Sequence, residues 1–550
     1  LLIIKTSLIY HGGTTITNFP EFFTTFDFFR QFLSYPGGPL RYTSDFIAQF
    51  FYFDSLGALI ITLQTLFLFL STAFILKKLN LQKLLIFSYA HPLIVLALYN
   101  QYTFHLLAIN NLIFQLLLFC LYIKLPKYKP VYFAIAAPLI YYISAAGFLY
   151  FALLTIIHEI FTSKNIKLPL LYAALSLILP YIIAVHLLDQ DLTTAYTDLL
   201  PFSCQILSCN DRKKMIETVY ILYAIPLLLP ILYSLGSLFK NAPSKKKSQI
   251  NPPLYKKLLP ALAVIIALIT VAASIDQKRK AFFAVDCYSY HKNWPKVLTY
   301  AKKLPHNFFA VHEATRALYH TGKLNSDLFK YTQHPQALLF TNNDALKKYL
   351  VRFDIYIDLG IINLAEHYLS RSLSYFGRRD IFLKRLATIN IIKNNPQTAK
   401  TYLNALKNTL FHSDWAKHKL SQMRDDPSLS ADKKISQARE NIIKQNEPMS
   451  NIPPGNFLRF LLKANPENKM AFDYLMTWYM ITKQHQPFLD NIPKLSNYGY
   501  KKIPDLYQQL ILVFVYNKKI DINSIGVKID PENLKLAKKV AQTTKKYPFN

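Results

Sequence analysis

The chain is 550 residues long, 52% hydrophobic and 15% aromatic, and it carries a formal charge of +31. A soluble protein would have to hide all of that apolar surface in one core, yet the apolar residues crowd into the first half. A single soluble domain is thereby excluded, and the composition points to an all-α polytopic membrane bundle followed by a soluble C-terminal part.

The opening "LLIIKTSLIY" lacks a methionine, so a clipped first span is expected and no signal peptide is read. Residues 11–54 then form a long first loop. After Pro20, "EFFTTFDFFRQFL" predicts an amphipathic helix, with Phe23, Phe26 and Phe29 at helical spacing and Asp27 stacked on Gln31 at i, i+4. The pair Gly37-Gly38 would end that helix, and Arg41 and Asp45 would open a second one running into the next span.

Apolar runs of about 20 residues follow at 55–76, 84–99, 103–123, 168–187, 216–239 and 257–275. The stretch 131–161 is too long for one span and short for two. Read as a hairpin around Ser144–Gly147, it gathers four basic loops on one side: Lys77/Lys78/Lys83, Lys124/Lys127/Lys129, Lys164/Lys167, and Lys240 with Lys245–Lys247, Lys256 and Lys257. None of these loops contains Asp or Glu, and one long span would send the last two across, against the positive-inside rule. About nine spans result, counting the clipped one. Residues 11–54, residues 188–215 and the exit near Asp276 then lie outside, which in a bacterial inner membrane is the periplasmic face.

In the second outer loop, Cys204 and Cys209 are spaced for a disulfide that an oxidising compartment would preserve, the alternative being two unrelated thiols. Cys120 falls in a span and Cys287 stands alone, so no metal site is read. Within the spans, Asn111 and Gln115 share one helix face, and His91, His105 and Asn110 fall on the same hairpin. Such polar groups line a wet cavity or serve helix packing.

From 277 to 550 the texture changes to amphipathic helices with short polar breaks. Ala365-x-x-Tyr368-Leu369 returns as Ala399-x-x-Tyr402-Leu403, an offset (399 − 365) of 34 residues that matches the tetratricopeptide period. The segments 292–305 and 468–495 look like further helix pairs, and the competing reading is an irregular helical domain. This part carries about twice as many Lys and Arg as Asp and Glu, which suits anionic lipid or an acidic polymer. Nucleic acid is not expected outside the cell.

Pro36-Gly37-Gly38, Gln49-Phe50-Phe51-Tyr52 with Gly57-Ala58-Leu59-Ile60, "DIYIDLGIINLAEHYLSRSL", "LFHSDWAKH" and "NPENKMAFDYLM" carry a resemblance over most of the chain. The chain resembles a family of uncharacterised Bacteroidota polytopic membrane proteins with a domain of unknown function. That resemblance implies an architecture and no activity.

The sequence contains no Walker, Rossmann, HExxH or GxSxG pattern. The long acidic first loop, the many spans and an outer helical-repeat domain are similar to the GT-C class of glycosyltransferases, which use polyprenyl-linked sugars. The likeness implies an acid in that loop as base or metal ligand, here Asp27, Glu21 or Asp45, and a basic residue on the lipid phosphate, here Arg30 or Arg41. A divalent metal or a polyprenyl-phosphate lipid would be the cofactor. The loop lacks a paired Asp-Asp or Asp-Glu, and the competing reading has Asp27 and Arg30 merely solvating an interfacial helix. The sequence leaves open whether the chain is an enzyme. A non-catalytic scaffold holding periplasmic protein or glycan partners through 277–550 is the alternative, and a transporter is a third.

Overall fold

The computed structural model describes residues 4–11, 19–125, 127–162, 166–201, 213–238, 265, 269, 272–339, 349–443, 452–518 and 529–546. Every element among them is helical and none is a strand. The chain divides into two compact units, one of 1–280 with 408–410 and one of 281–407 with 411–550. Cys204 and Cys209, Lys240, Lys245–Lys247 and most of 257–275 lie outside the described residues.

The first unit runs α1 (Thr6–His11), α2 (Phe26–Leu33), α3 (Gly38–Gln49), α4 (Asp54–Lys78), α5 (Ala90–Tyr99), α6 (Leu106–Lys124), α7 (Lys129–Ser144), α8 (Gly147–Thr162), α9 (Lys167–Pro180), α10 (Leu192–Thr197) and α11 (Lys213–Leu238). Four stretches are long and apolar enough to cross a membrane: Asp54–Lys78, Leu106–Lys124, Lys167–Leu187 and Met215–Tyr233. The expectation of about nine is corrected to these four among the described residues. Of the five others, the clipped first span is described only from the six-residue Thr6–His11, and 257–275 lies mostly outside the described residues; two physical causes account for the remaining three. Leu84–Tyr99 is broken into a 3-10 stretch and a ten-residue α-helix that begins just before Pro92, a residue suited only to a helix's first turn. The segment 131–161 splits at Ala145, whose φ of 46° ends α7. Each half has 16 residues, about 24 Å of helix, which is short of a hydrocarbon core of about 30 Å.

The long helices are apolar outside and polar inside. On α4 the exposed face is Leu59, Leu63, Leu66, Phe67 and Leu70, while Gln64, Ser71 and Thr72 are buried. On the stretch 167–187, Leu170, Leu177, Ile178 and Ile182 are exposed while Tyr172 and Ser176 are buried. In water that arrangement leaves apolar surface unpaired. In lipid it is the stable one, because polar side chains find partners only within the bundle.

Contacts sort the helix ends. One end joins Glu159 to Lys129 (2.7 Å) and to the hydroxyl of Tyr122, which donates to it (2.9 Å) and lies 3.2 Å from the hydroxyl of Tyr172. The basic loops around Lys124–Lys129 and Lys167 leave from this end. At the other end, Gly37 N–H donates to the Tyr142 carbonyl (2.8 Å), Tyr141 to the Ala195 carbonyl (2.9 Å), and Asn100 to Ser274 (2.7 Å).

In the second unit, five helical hairpins share one turn. They are Gln277–Tyr290 with Trp294–Ala301, Phe308–His320 with Leu324–Asp327, Tyr349–Asp358 with Ile362–Phe376, Asp380–Ile392 with Pro396–Lys407, and Lys469–Ile481 with His485–Asn491. Each first helix closes on a left-handed residue, respectively Lys292, Gly322, Gly360, Asn394 and Lys483. The next N–H then reaches back five residues, as from Asn293 to the Tyr288 carbonyl, Ile361 to Tyr356 and Asn395 to Asn390. This is the Schellman closure, which satisfies the last carbonyls of the helix and turns the chain.

Ala365 and Ala399 hold the same fourth position in their second helices, both fully buried, with Leu369 and Leu403 beside them. In the first hairpin Val297 takes that position, also buried. It precedes Ala365 by 68 residues (365 − 297), twice the offset seen in the sequence. Ion pairs staple the first helices of neighbouring hairpins. Arg316 binds Glu313 on its own helix (2.9 Å) and Asp358 on the next (2.6 Å), and Arg385 grips Asp354 through Nε (2.8 Å) and Nη2 (2.6 Å). Burial raises both aspartates, but Arg385 with Arg316 near Asp354, and Arg316 with His320 beside Asp358, together outweigh it and hold both below the usual carboxylate range.

Candidate functional site

The first loop is anchored by aromatic packing. Thr25 caps α2 by accepting from Phe28 N–H. The ring of Tyr42 on α3 lies 5.1 Å from Phe22, 4.8 Å from Phe29 and 5.6 Å from Phe32. The Phe face of α2 therefore packs largely on α3, while Phe26 and Leu33 stay exposed. Asp27 and Arg30 are exposed.

Between α2 and α3 the turn at Gly37 has φ 82°, a conformation that glycine adopts without strain. A Cβ there would meet Leu199 at 2.9 Å and Ala145 at 3.0 Å, so glycine also permits this close docking. The turn brings α3 against Asp198 and Leu199, which follow α10. There Arg41 Nη2 meets Asp198 at 2.5 Å, a pair in which Asp198 is almost fully buried and Arg41 half-buried. One turn further along α3, Asp45 lies on the same face as Arg41.

These groups sit outside the four candidate spans and shift one another's charge. Burial pushes Asp45 up to about 7, with Arg41 opposing and Glu21 adding. Burial also raises Asp198, outweighing the guanidinium beside it. Tyr35 is raised by burial, with Arg41 opposing and Asp45 and Asp198 adding. The result is a carboxyl poised to exchange a proton near neutral pH, four residues from an arginine oriented by a buried acid.

The polar residues of the spans support this site from below. Tyr99 donates to Gln64 (2.7 Å), Gln64 to Asn110 (2.8 Å), and Asn110 to Ser44 on α3 (3.0 Å). Asn111 donates to the carbonyl of Leu199 (2.8 Å), next to Asp198, and Gln115 donates to Asn111 (3.0 Å) and Ser144 (2.8 Å). Gly147 leaves room for the Asn111 amide, which a Cβ would approach to 2.6 Å. Asn111 and Gln115 thus brace the two loops. The histidines are not brought to them. Thr72 Oγ lies 2.8 Å from the Leu68 carbonyl and 2.9 Å from His91 Nδ1, while His105 sits half-buried at the start of α6.

Of the sequence-derived candidates, the structure joins Arg41, Asp45 and, through its charge, Glu21. It also adds Asp198 and Tyr35. Asp198 was visible only as an acid in an outer loop, and nothing near it in sequence signals a partner 157 residues away.

A family of unknown function (DUF6057) matches residues 18–547, and the chain belongs to that family. No curated protein and no solved structure matches the chain.

Proposed function

We propose that this chain is a membrane-embedded transferase that takes a glycan from a polyprenyl-phosphate carrier at the outer face of a bacterial inner membrane. The observation that carries the reading is the group Arg41, Asp45 and Asp198, assembled by both outer loops at the end of the bundle away from the basic loops. In this role Asp45 accepts the proton of the attacking hydroxyl as the bond to the sugar's anomeric carbon forms. Arg41, oriented by Asp198, donates to the departing phosphate. The membrane placement is supported by α4 and the stretch 167–187, which turn leucine outward and glutamine, serine and threonine inward.

The hairpins of 281–550 favour a second reading, a tetratricopeptide-like scaffold for envelope partners, because stacked hairpins present an extended binding surface. Deletion of the gene tests the first reading. Lipid-linked saccharide should accumulate, wild-type protein should clear it, and Asp45→Asn should not, although it is inserted in the membrane at wild-type levels. Clearance by Asp45→Asn equal to wild type would remove the transferase and leave the scaffold.

A further inference from the structure

Just after α10 the chain makes a sharp turn. Asp198 has φ −62° and ψ 135°, Leu199 has φ 62°, and Leu200 N–H donates to the Thr197 carbonyl at 3.2 Å. These are the features of a type II turn, whose third residue needs a positive φ and is ordinarily glycine or asparagine. Leucine stands there instead, with its side chain fully buried. The left-handed region disfavours a leucine on its own, so its surroundings must hold it there.

Those surroundings belong to the Arg41 site. A Cβ on Gly37 would lie 2.9 Å from Leu199 Cδ1, and the Leu199 carbonyl accepts from Asn111 Nδ2 at 2.8 Å. Gly37 has φ 82° and is fixed in turn, its N–H donating to the Tyr142 carbonyl at 2.8 Å. The two turns are complementary, because the glycine of one leaves the room that the leucine of the other fills. The Gly37 carbonyl accepts from Arg41 N–H at 3.1 Å, which puts this contact one helical turn from the guanidinium. Asp198 directly precedes the leucine. Burial raises its carboxyl, and Arg41 and the Leu199 backbone amide oppose that rise.

We infer that Leu199 is a positioning residue: lodged beside Gly37, it holds Asp198 on Arg41 and so aims the guanidinium. Its use in aiming Arg41 at a departing phosphate rests on the transferase reading. The mechanical role does not, and its test reads stability alone, so failure of the Asp45 experiment leaves that role standing.

Melting of the full chain in detergent measures the coupling through a double-mutant cycle. Leu199→Gly removes the side chain and supplies the residue that the turn favours, so the fold should survive. It should nevertheless lower Tm by several degrees. Arg41→Gln, which lowers Tm in the wild-type background, should add little to it, because the pair is already loose. Leu199→Met keeps the bulk and should restore the full loss from Arg41→Gln. The coupling should fade as pH is lowered toward about 4, where Asp198, raised above the ordinary aspartate value of about 3.9, takes up its proton. Simple packing of a buried leucine has no such pH dependence. A Tm raised by Leu199→Gly would mean that the leucine only burdens its turn, and would overturn the inference. Additive effects of Leu199→Gly and Arg41→Gln at neutral pH would overturn it as well, because the leucine would then act apart from the pair.

Discussion

At the scale of single residues, Asp45 shows how a fold sets chemistry that composition cannot. Its carboxyl is exposed in the unfolded chain, with an ordinary pKa of about 3.9. In the folded chain it is held protonated to about pH 7, burial being the main cause. Between those values the native state holds a proton that the unfolded state has released. Stability from the protonated carboxyl is therefore complete below about pH 4 and is lost as pH rises through about 7. Melting of the detergent-solubilised protein should show this as a midpoint that falls with pH across that window. Asp45→Asn should flatten the slope, because its amide cannot ionise. A slope unchanged in the variant would assign the pH dependence to another group.

Helices and their connections show what a sequence pattern carries. The pair Asn111 and Gln115, four residues apart, was legible as one face, and the break near Ser144–Gly147 was legible from charge and length. Both are local. The pairing of Arg41 with Asp198 spans 157 residues and leaves no periodic trace. Hydropathy also overcounts spans, because an apolar window does not register that Pro92 or Ala145 shortens the helix inside it. In the second unit the repeat was visible in Ala365 and Ala399. The turn that unites five hairpins was hidden, since Lys292, Asn394 and Lys483 occupy left-handed positions that glycine holds at 322 and 360. Enlarging either alanine to leucine should overpack the helix crossing at a cost of about 1–3 kcal/mol. Limited proteolysis should then show new cuts within 354–407, with the first unit intact, whereas Lys407→Ala at an exposed position should change nothing. Tolerance of leucine at both positions would mean that the matched positions do not form equivalent crossings.

Across the whole molecule, charge and connectivity argue together. The loops carrying Lys77, Lys78, Lys124, Lys127, Lys129 and Lys167 contain no acid. Glu159, Lys129, Tyr122 and Tyr172 meet at the end these loops share. The stretch that leads out of the first unit ties instead to the opposite end, through Asn100 to Ser274 and Arg279 to Gln101. Under the proposed function the positive-inside rule would turn the basic end to the cytoplasm, and the chain beyond residue 280 is then expected to begin on the outer side. The outer-face chemistry proposed for Asp45 and Arg41 would require this orientation too. In a chain whose four cysteines are replaced, a cysteine at exposed Lys330 should react with a membrane-impermeant maleimide in intact cells, and one at exposed Lys78 should react only after lysis. Substitution at Lys330 removes only a surface pair with Asp327, so the fold should survive it. The reverse labelling would put 281–550 on the side of the basic loops and withdraw the outer-face transferase with it.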